Sequence, residues 1–299
     1  MRKFVWVTAG IAVVILTVFA VLYGMGKNRT DSGAPVKTAS LAENKPVDLL
    51  RDGRVQMLDL AEKFAGYEGC FLLYGLQDQT YYVYNPTQCE KRLSPASTFK
   101  IASSLIGLET GTVDEKTVIP WDGHPYRYPE WNKDHTLASA LANSVTWFYQ
   151  KMAVRIGSGR MEDYLYRIGY GNEDIQGGIE TFWLGSSLQI SAVEQVDFLA
   201  KLYADKLPFS IKTTGLVKQM LVLEKRGNAV LSGKTGTCNA GACVSEEPRN
   251  DVLGWFVGHL EKDGQEYVFA LNVEADMKAN GSAARKIAGE VLHGMRLWN

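Results

Sequence analysis

The chain has 299 residues, a formal net charge of −1, 46% hydrophobic residues and 22% charged residues. This composition is typical of a globular protein with a sizeable core, and it excludes a largely disordered chain. The near-neutral charge argues against a dedicated nucleic-acid binder, and four cysteines are too few for a disulfide-dense miniprotein.

The N-terminal segment, residues 1–26, is predicted to be a signal peptide or a membrane anchor. Arg2 and Lys3 precede an uncharged run of 22 residues from Phe4 to Met25. As a helix this run measures about 33 Å, which is enough to cross a bilayer. It is longer than the apolar region of a usual signal peptide, although a cleavage site after Ala20 is available. A buried core helix is the weaker alternative. Either of the first two interpretations places the rest of the chain outside the cytoplasm, in the periplasm or tethered to the membrane.

The remaining chain divides into a tether and a working domain. Residues 27–48 are polar and of mixed charge, which predicts a linker without a core of its own. Residues 49–299 form the predicted functional domain.

The predicted elements of this domain are helices in the middle of the chain and strands towards both ends. In chain order they are strands at 70–74 and 81–85, a helix from Ser97 to about Gly111, a helical segment from Thr136 to Ile156 with a break near Asn143-Ser144, a helix from Met161 to Ile168, a helix from Ser191 to Leu207 with a capping-box pattern, strands after Ser232, and a final helix at about 282–297. Strands from both ends can form one antiparallel sheet with the helices packed on it. This is an α+β architecture with a mostly helical subdomain.

The cysteine positions agree with export. In an oxidising compartment the simplest pairing is Cys70 with Cys89 and Cys238 with Cys243, because each pair brackets a short hairpin or loop. Four buried thiols are the alternative. The cysteine spacing predicts no metal site.

The first candidate catalytic motif is Ser97-Thr98-Phe99-Lys100. On a helix, positions i and i+3 share one face, so the lysine amine can reach the serine hydroxyl. A serine becomes a nucleophile when a base takes its proton, and a lysine can be that base when burial removes its charge. Taken alone, the motif is more typical of a capping serine beside a solvated lysine.

Two further motifs are weak by themselves. Lys234-Thr235-Gly236-Thr237 is a strand-like run in which a lysine and a hydroxyl suit a carboxylate-bearing substrate, and glycine permits close approach; an ordinary turn is the alternative. Ser144 lies at a break in a helical pattern, where a hydroxyl can relay protons.

The order and spacing of the three motifs make a stronger signal. Ser144 follows Ser97 by 47 residues, and Lys234 follows Ser144 by 90. This pattern resembles the serine penicillin-recognising enzymes. Within that superfamily the chain resembles the class D, oxacillinase-type β-lactamases over about residues 60–297. The resemblance includes the runs PASTFK at 95–100, YGN at 170–172, FWL at 182–184, SLQIS at 187–191, KTGT at 234–237 and GWFVG at 254–258.

The resemblance implies a fold of the β-lactamase/transpeptidase type and a role for each matched residue. Ser97 corresponds to the acylated nucleophile, and Lys100 to a lysine that carries a carbamate formed from carbon dioxide and acts as general base. Trp183 corresponds to the tryptophan whose indole N–H holds that carbamate. The remaining matches are Ser144 as proton relay, Lys234, Thr235 and Gly236 as the carboxylate-binding strand, the N–H groups of Ser97 and Thr237 as oxyanion hole, and Arg285 as a second carboxylate ligand. No separate cofactor is expected, and the expected ligand is a small β-lactam.

One departure from the family pattern bears on turnover. The family commonly has valine two residues after the relay serine, where this chain has Thr146. A hydroxyl there can hydrate or bind the lysine and favour loss of carbon dioxide. Three functions are therefore compared: a class D β-lactamase, a β-lactam sensor that stays acylated, and a peptidoglycan transpeptidase or carboxypeptidase. The first is favoured.

Overall fold

The computed structural model describes residues 54–239 and 251–298. The predictions for residues 1–26 and 27–48 lie outside the described residues. Within the described ranges, no helix combines the length and the apolar character that a membrane span requires.

In the described chain, most helices lie in the middle of the sequence and most strands lie towards its two ends, as predicted. The strands are β1 (Arg54–Met57), β2 (Glu68–Gly75), β3 (Thr80–Tyr84), β4 (Val118–Ile119), β5 (His135–Thr136), β6 (Val222–Arg226), β7 (Ala229–Asn239), β8 (Asp251–Lys262) and β9 (Gln265–Glu274). The helices are α1 (Pro86–Glu90), α2 (Lys100–Glu109), α3 (Leu137–Ala142), α4 (Thr146–Ile156), α5 (Ser158–Ile168), α6 (Ala192–Tyr203), α7 (Ile211–Met220) and α8 (Gly281–Gly294).

Seven strands form one sheet that joins the two ends of the domain. Their order is β1-β3-β2-β9-β8-β7-β6, and β4 and β5 form a separate pair. All neighbours in the large sheet are antiparallel except β1 and β3, which are parallel. The early strand β2 pairs with the late strand β9 over its whole length, from Glu68↔Glu274 to Gly75↔Tyr267. The predicted antiparallel sheet built from both ends of the sequence is confirmed.

The sheet separates two apolar cores, because alternate side chains of a strand point to opposite faces. On β2, Leu72 belongs to the core shared with the helical subdomain, whereas Phe71 and Leu73 belong to the core covered by α8. The helix α8 contributes Ala284, Ile287, Ala288, Val291 and Leu292 to that second core. The larger, helical-side core is the one that surrounds the candidate site.

The predicted break in the long helical segment is confirmed. The helix α3 ends at Ala142 and α4 begins at Thr146. Between them Ser144 has a φ of 55°, a left-handed conformation that a continuous α-helix cannot contain. The break therefore presents Ser144 on a turn instead of on a helix face.

Four predicted helices differ from the structure at one end. The helix predicted from Met161 begins at Ser158, and the final helix, predicted to about residue 297, ends at Gly294. The helix predicted from Ser97 begins as a 3₁₀ turn over Ala96–Phe99, and the α-helix starts at Lys100. The helix predicted to reach Leu207 ends at Tyr203, because Asp205 adopts a positive φ of 53°.

The helix α7 is not among the predicted elements. Its sequence, IKTTGLVKQM, contains Gly215 and two threonines, which lower helix propensity.

The predicted Cys70–Cys89 bridge is wrong in this structure, where both residues are free, buried thiols. Cys89 lies on the short helix α1 after the hairpin, and its side chain meets that of Cys70: a hydrogen bond between the two thiols, together with burial, raises the pKa of Cys89 well above its usual value. Cys238, near the end of β7, is buried and disulfide-bonded. Cys243 lies outside the described residues, so the pairing of Cys238 with Cys243 stays a prediction.

The capping box at α6 offers a stability test. The Ser191 hydroxyl accepts from the Glu194 N–H at 3.2 Å, and the Glu194 carboxylate accepts from the Ser191 N–H at 2.8 Å. Replacement of an N-cap serine by alanine removes one of these bonds. We expect Ser191→Ala to lower the free energy of unfolding by about 1 kcal/mol, measured by urea denaturation. The exposed Ser186→Ala variant is the control, and a loss no larger than that of the control would contradict the role of the cap.

Candidate active site

The candidate nucleophile Ser97 lies on a tight turn immediately before α2. The 3₁₀ turn Ala96–Phe99 is closed by Thr98, whose hydroxyl donates to the Pro95 carbonyl at 2.7 Å. Ala96 has a φ of 48°, a conformation that costs a non-glycine residue about 1–2 kcal/mol. The turn therefore holds Ser97 in a half-exposed position next to strained backbone, while the residues around it are buried.

Lys100 lies directly beneath this turn. Its Nζ is 2.6 Å from the Ser97 Oγ, within hydrogen-bond distance, as the i and i+3 spacing predicts. The whole Lys100 side chain is buried, with 0% exposure. Burial, together with the nearby charge of Lys234, lowers the pKa of Lys100 well below its usual value. A neutral amine at this distance can accept the serine proton.

The pocket around the Lys100 amine is apolar except for a few hydroxyl groups. The Thr146 Oγ1 lies 3.3 Å from Nζ, and the Tyr149 ring centroid lies 5.5 Å from it. The Tyr149 hydroxyl is 2.8 Å from that of Ser104, which donates to the Lys100 carbonyl at 2.7 Å. Sequence analysis missed Tyr149 and Ser104. The spacing of Ser104, four residues after Lys100 on the same helix face, was the available signal.

Ser144 and Lys234 form the second half of the site. The Lys234 Nζ donates to the Ser144 Oγ at 3.0 Å and to the Thr235 carbonyl at 3.0 Å. The turn that presents Ser144 is held by Trp131, whose indole N–H donates to the Asn143 carbonyl at 3.0 Å. Burial lowers the pKa of Lys234 to about 7. The pair can therefore exchange a proton near neutral pH.

The strand β7 forms one wall of the site beside the nucleophile turn. A Cβ atom at Gly236 would lie 3.0 Å from the Pro95 carbonyl oxygen and 3.3 Å from the Ala96 Cβ, so a side chain at this position would force its neighbours to shift by a few tenths of an ångström. Thr235 and Thr237 flank Gly236 and are half-exposed. The Thr237 hydroxyl also accepts from the Gly281 N–H at 2.9 Å, which ties β7 to the start of α8.

Trp183 belongs to the apolar wall on the other side of the nucleophile turn. Its ring lies 5.5 Å from that of Phe99, the residue before Lys100, and 4.9 Å from that of Phe182. The side chain is 1% exposed. Its Nε1 is fully buried and has no hydrogen-bond partner among the described residues. Such a donor is uncommon in a folded protein, and this one is available to a water molecule or to another group at this position.

Arg285 lies on α8, the helix whose first residue hydrogen-bonds Thr237 on β7. Arg285 is exposed on α8, and its guanidinium carbon lies 6.0 Å from the Phe256 ring centroid. Its role as a carboxylate ligand stays a prediction.

The arrangement suits acyl transfer. It contains a serine hydroxyl beside a buried amine, a second hydroxyl beside a second lysine, and an adjoining strand with half-exposed hydroxyls. Within residues 54–239 and 251–298, no cluster of histidine, cysteine or acidic side chains is arranged to hold a metal ion.

Comparisons with known proteins agree with this arrangement. The model of the penicillin binding protein transpeptidase domain matches residues 70–293. The probable beta-lactamase YbxI of Bacillus subtilis (strain 168) is 39% identical over 261 residues, which cover 87% of this chain and 91% of the relative.

Two solved structures have similar folds. The class D beta-lactamase BAT-2 is 42% identical with a TM-score of 0.75, and the match covers 81% of this chain and 97% of that one. The C-terminal domain of the Bacillus licheniformis BlaR penicillin-receptor is 35% identical with a TM-score of 0.77, and the match covers 83% and 99%. The chain therefore belongs to the penicillin binding protein transpeptidase domain family, and within it to the class D β-lactamases.

Proposed function

We propose that this protein hydrolyses β-lactams through an acyl-enzyme on Ser97. The observation that carries the proposal is the 2.6 Å distance between the Ser97 Oγ and the amine of a fully buried lysine, Lys100. A charged lysine in this pocket would have no carboxylate among the described residues to offset the loss of hydration, since the Lys100 amine contacts hydroxyl groups and an aromatic ring. The neutral base is therefore the favoured state.

In the first step the Ser97 Oγ attacks the lactam carbonyl carbon and its proton passes to the base at Lys100. The carbonyl oxygen becomes negative and is stabilised by the backbone N–H groups of Ser97 and Thr237. The ring C–N bond then breaks, and the lactam nitrogen takes a proton through Ser144, which Lys234 supplies. The product is an ester of Ser97. Before the second step the proton held at Lys100 passes to Lys234, which returns both groups to their starting forms. The base at Lys100 then takes a proton from water as the water oxygen attacks the ester carbonyl carbon. The bond between that carbon and the Ser97 Oγ breaks, and the proton passes from the base to the serine oxygen.

We further propose that Lys100 is carbamylated by carbon dioxide. The carbamate would supply an anionic base for both steps. The pocket fits this group for two reasons. Burial and the nearby charge of Lys234 lower the pKa of Lys100, which favours the neutral amine, the form that reacts with carbon dioxide. The buried Trp183 Nε1–H, which has no partner among the described residues, is a donor that such an oxygen would satisfy.

The substrate carboxylate is assigned to the rim formed by β7. Lys234 supplies the positive charge, and the half-exposed hydroxyls of Thr235 and Thr237 supply donors. Arg285 is proposed as a second ligand of this carboxylate.

The export of this domain is proposed from the N-terminal charge and hydropathy pattern alone. A membrane anchor and a cleaved signal peptide are both compatible with this pattern.

A β-lactam sensor that remains acylated is the second candidate. The contact between the Lys100 Nζ and the Thr146 Oγ1 at 3.3 Å favours it, because a hydroxyl at this point competes with a carbamate for the amine. The similarity to the BlaR penicillin-receptor domain is consistent with this alternative. The two candidates share acylation and differ in the lifetime of the ester.

The lifetime of the adduct is the first test. The soluble domain is mixed with excess benzylpenicillin and followed by intact-protein mass spectrometry, with and without added bicarbonate. We expect an adduct that forms and then disappears, faster with bicarbonate. Ser97→Ala is the control and should form no adduct. An adduct that persists for hours in wild type would favour the sensor, and the absence of any adduct would overturn the assignment of Ser97.

Thr146→Val tests the competing hydroxyl directly. The substitution keeps the shape of the side chain and removes its hydrogen bond to Lys100. We expect deacylation to become about fivefold faster and to need less bicarbonate, since one hydrogen bond to the amine is lost. The matched control is Thr214→Val, a buried threonine on α7 that hydrogen-bonds Asp205. An equal or slower deacylation rate in Thr146→Val would contradict the effect assigned to this hydroxyl.

The lowered pKa of Lys234 predicts a pH dependence of substrate binding. The ammonium form binds the substrate carboxylate, and it is lost as the pH rises through about 7 in the free protein. We expect KM to rise with pH above 7, by up to about tenfold per unit, while the KM of Lys234→Arg changes little because arginine stays charged. Steady-state kinetics with benzylpenicillin between pH 6 and 9 measure this difference, and parallel KM profiles for the two proteins would argue against the role.

A further inference from the structure

Ser94 lies at the junction of three segments that meet at the candidate site. It precedes the nucleophile turn by one proline, and it faces the loop that carries Trp183. Its hydroxyl donates to the Trp183 carbonyl at 3.1 Å. The same oxygen accepts from the N–H of Gly185 at 2.9 Å and from the N–H of Ala96 at 3.4 Å.

A hydroxyl group has one proton to donate and two lone pairs to accept, so it can make these three contacts at the same time. An alanine at this position would leave the Trp183 carbonyl and the two amides without these partners. A threonine would keep the hydroxyl. The geometry is therefore specific to a short side chain that ends in an O–H group.

The backbone of Ser94 is itself fixed to the sheet. Its carbonyl accepts from the indole N–H of Trp255 on β8 at 2.9 Å, and Trp255 is fully buried. The preceding residue, Leu93, pairs with Ile190, and their N–H and carbonyl groups exchange bonds of 3.0 and 2.8 Å. The hydroxyl thus extends from a rigid support.

Ser94 joins the nucleophile turn, which carries Ser97, to the loop that carries Trp183. Ala96 is the left-handed residue directly before Ser97, and strain of this kind persists only where the surroundings hold it. Trp183 carries the buried indole N–H assigned to the carbamate. A shift of either segment would change the distance between Ser97, Lys100 and Trp183.

We infer that Ser94 is a positioning residue that couples the nucleophile turn to the Trp183 loop, so that acylation and lysine carbamylation both depend on its hydroxyl. The inference rests on the proposed function for its kinetic consequences. The structural part of the inference is that the hydrogen bonds of Ser94 with Gly185 and Ala96 hold the two segments together, and this part does not depend on catalysis.

The test compares Ser94→Ala, Ser94→Thr and a matched control in the same loop. The control is Ser187→Ala, because the Ser187 hydroxyl also donates to a carbonyl, that of Asp174 at 2.9 Å, and accepts from an amide, that of Gly177 at 2.9 Å. Neither of these partners belongs to the turn or to Trp183. Each variant is measured for acylation and deacylation rates by mass spectrometry and for the carbamate signal of Lys100 by carbon-13 NMR in labelled bicarbonate. Amide hydrogen exchange of peptides covering Ala96 and Gly185 is measured in parallel.

We expect Ser94→Ala to slow acylation and deacylation by about tenfold each, since small displacements of catalytic groups have effects of this order. The bicarbonate concentration for half-maximal carbamate signal should rise by about fivefold, and exchange at the Ala96 and Gly185 peptides should become faster. Ser94→Thr should restore all of these values to within about twofold of wild type. Ser187→Ala should leave the rates and the carbamate signal unchanged.

Equal rates, carbamate signal and exchange in Ser94→Ala and Ser187→Ala would overturn the inference, as would a loss of activity in Ser94→Ala that Ser94→Thr does not rescue. A wild-type protein that forms no acyl adduct would instead refute the proposed function. In that case the exchange data still decide the structural part, because faster exchange confined to the two peptides supports the coupling and unchanged exchange refutes it.

Discussion

The site is organised around one buried amine. Lys100 is completely enclosed, and moving an unpaired ammonium group into such a pocket costs several kcal/mol. The fold therefore favours a Lys100 amine that is neutral or that a covalent modification has converted to another group. The Ser97 Oγ lies 2.6 Å and the Thr146 Oγ1 3.3 Å from this amine, and the proposed mechanism depends on both contacts. The apolar helical-side core keeps this region of the site from water.

Two of the nine non-glycine residues with a positive φ in the described ranges lie at the candidate site. Ala96 and Ser144 have φ values of 48° and 55°, and each flanks or carries a proposed catalytic hydroxyl. Such conformations are uncommon for residues other than glycine and are held by the surrounding structure. Here the holding groups are specific hydrogen bonds, from Ser94 and Trp131 among others. The positions of the Ser97 and Ser144 hydroxyls therefore depend on these hydrogen bonds as well as on the motifs that contain the two serines.

The same fold serves hydrolysis and sensing, since both class D β-lactamases and a penicillin-receptor domain resemble this chain over most of its length. The two functions proposed for this protein share acylation of Ser97, so the residues assigned to that step do not distinguish them. They differ in the proposed lifetime of the ester. The observation that bears on this difference is the contact between the Lys100 Nζ and the Thr146 Oγ1 at 3.3 Å.

The sequence by itself determined the motifs, their order, the α+β class and most elements, because short-range periodicity and spacing report local structure. It predicted that Ser97 and Lys100 meet, since residues three apart on a helical turn are neighbours. Only the tertiary structure decided which distant groups converge. It joined Ser144 to Lys234 across 90 residues, left Cys70 and Cys89 as free thiols, and placed Arg285 on the outer surface of α8. It also placed Ser94 against Trp183, 89 residues away. Such contacts depend on how the sheet and the loops pack, and no local pattern in the chain encodes them.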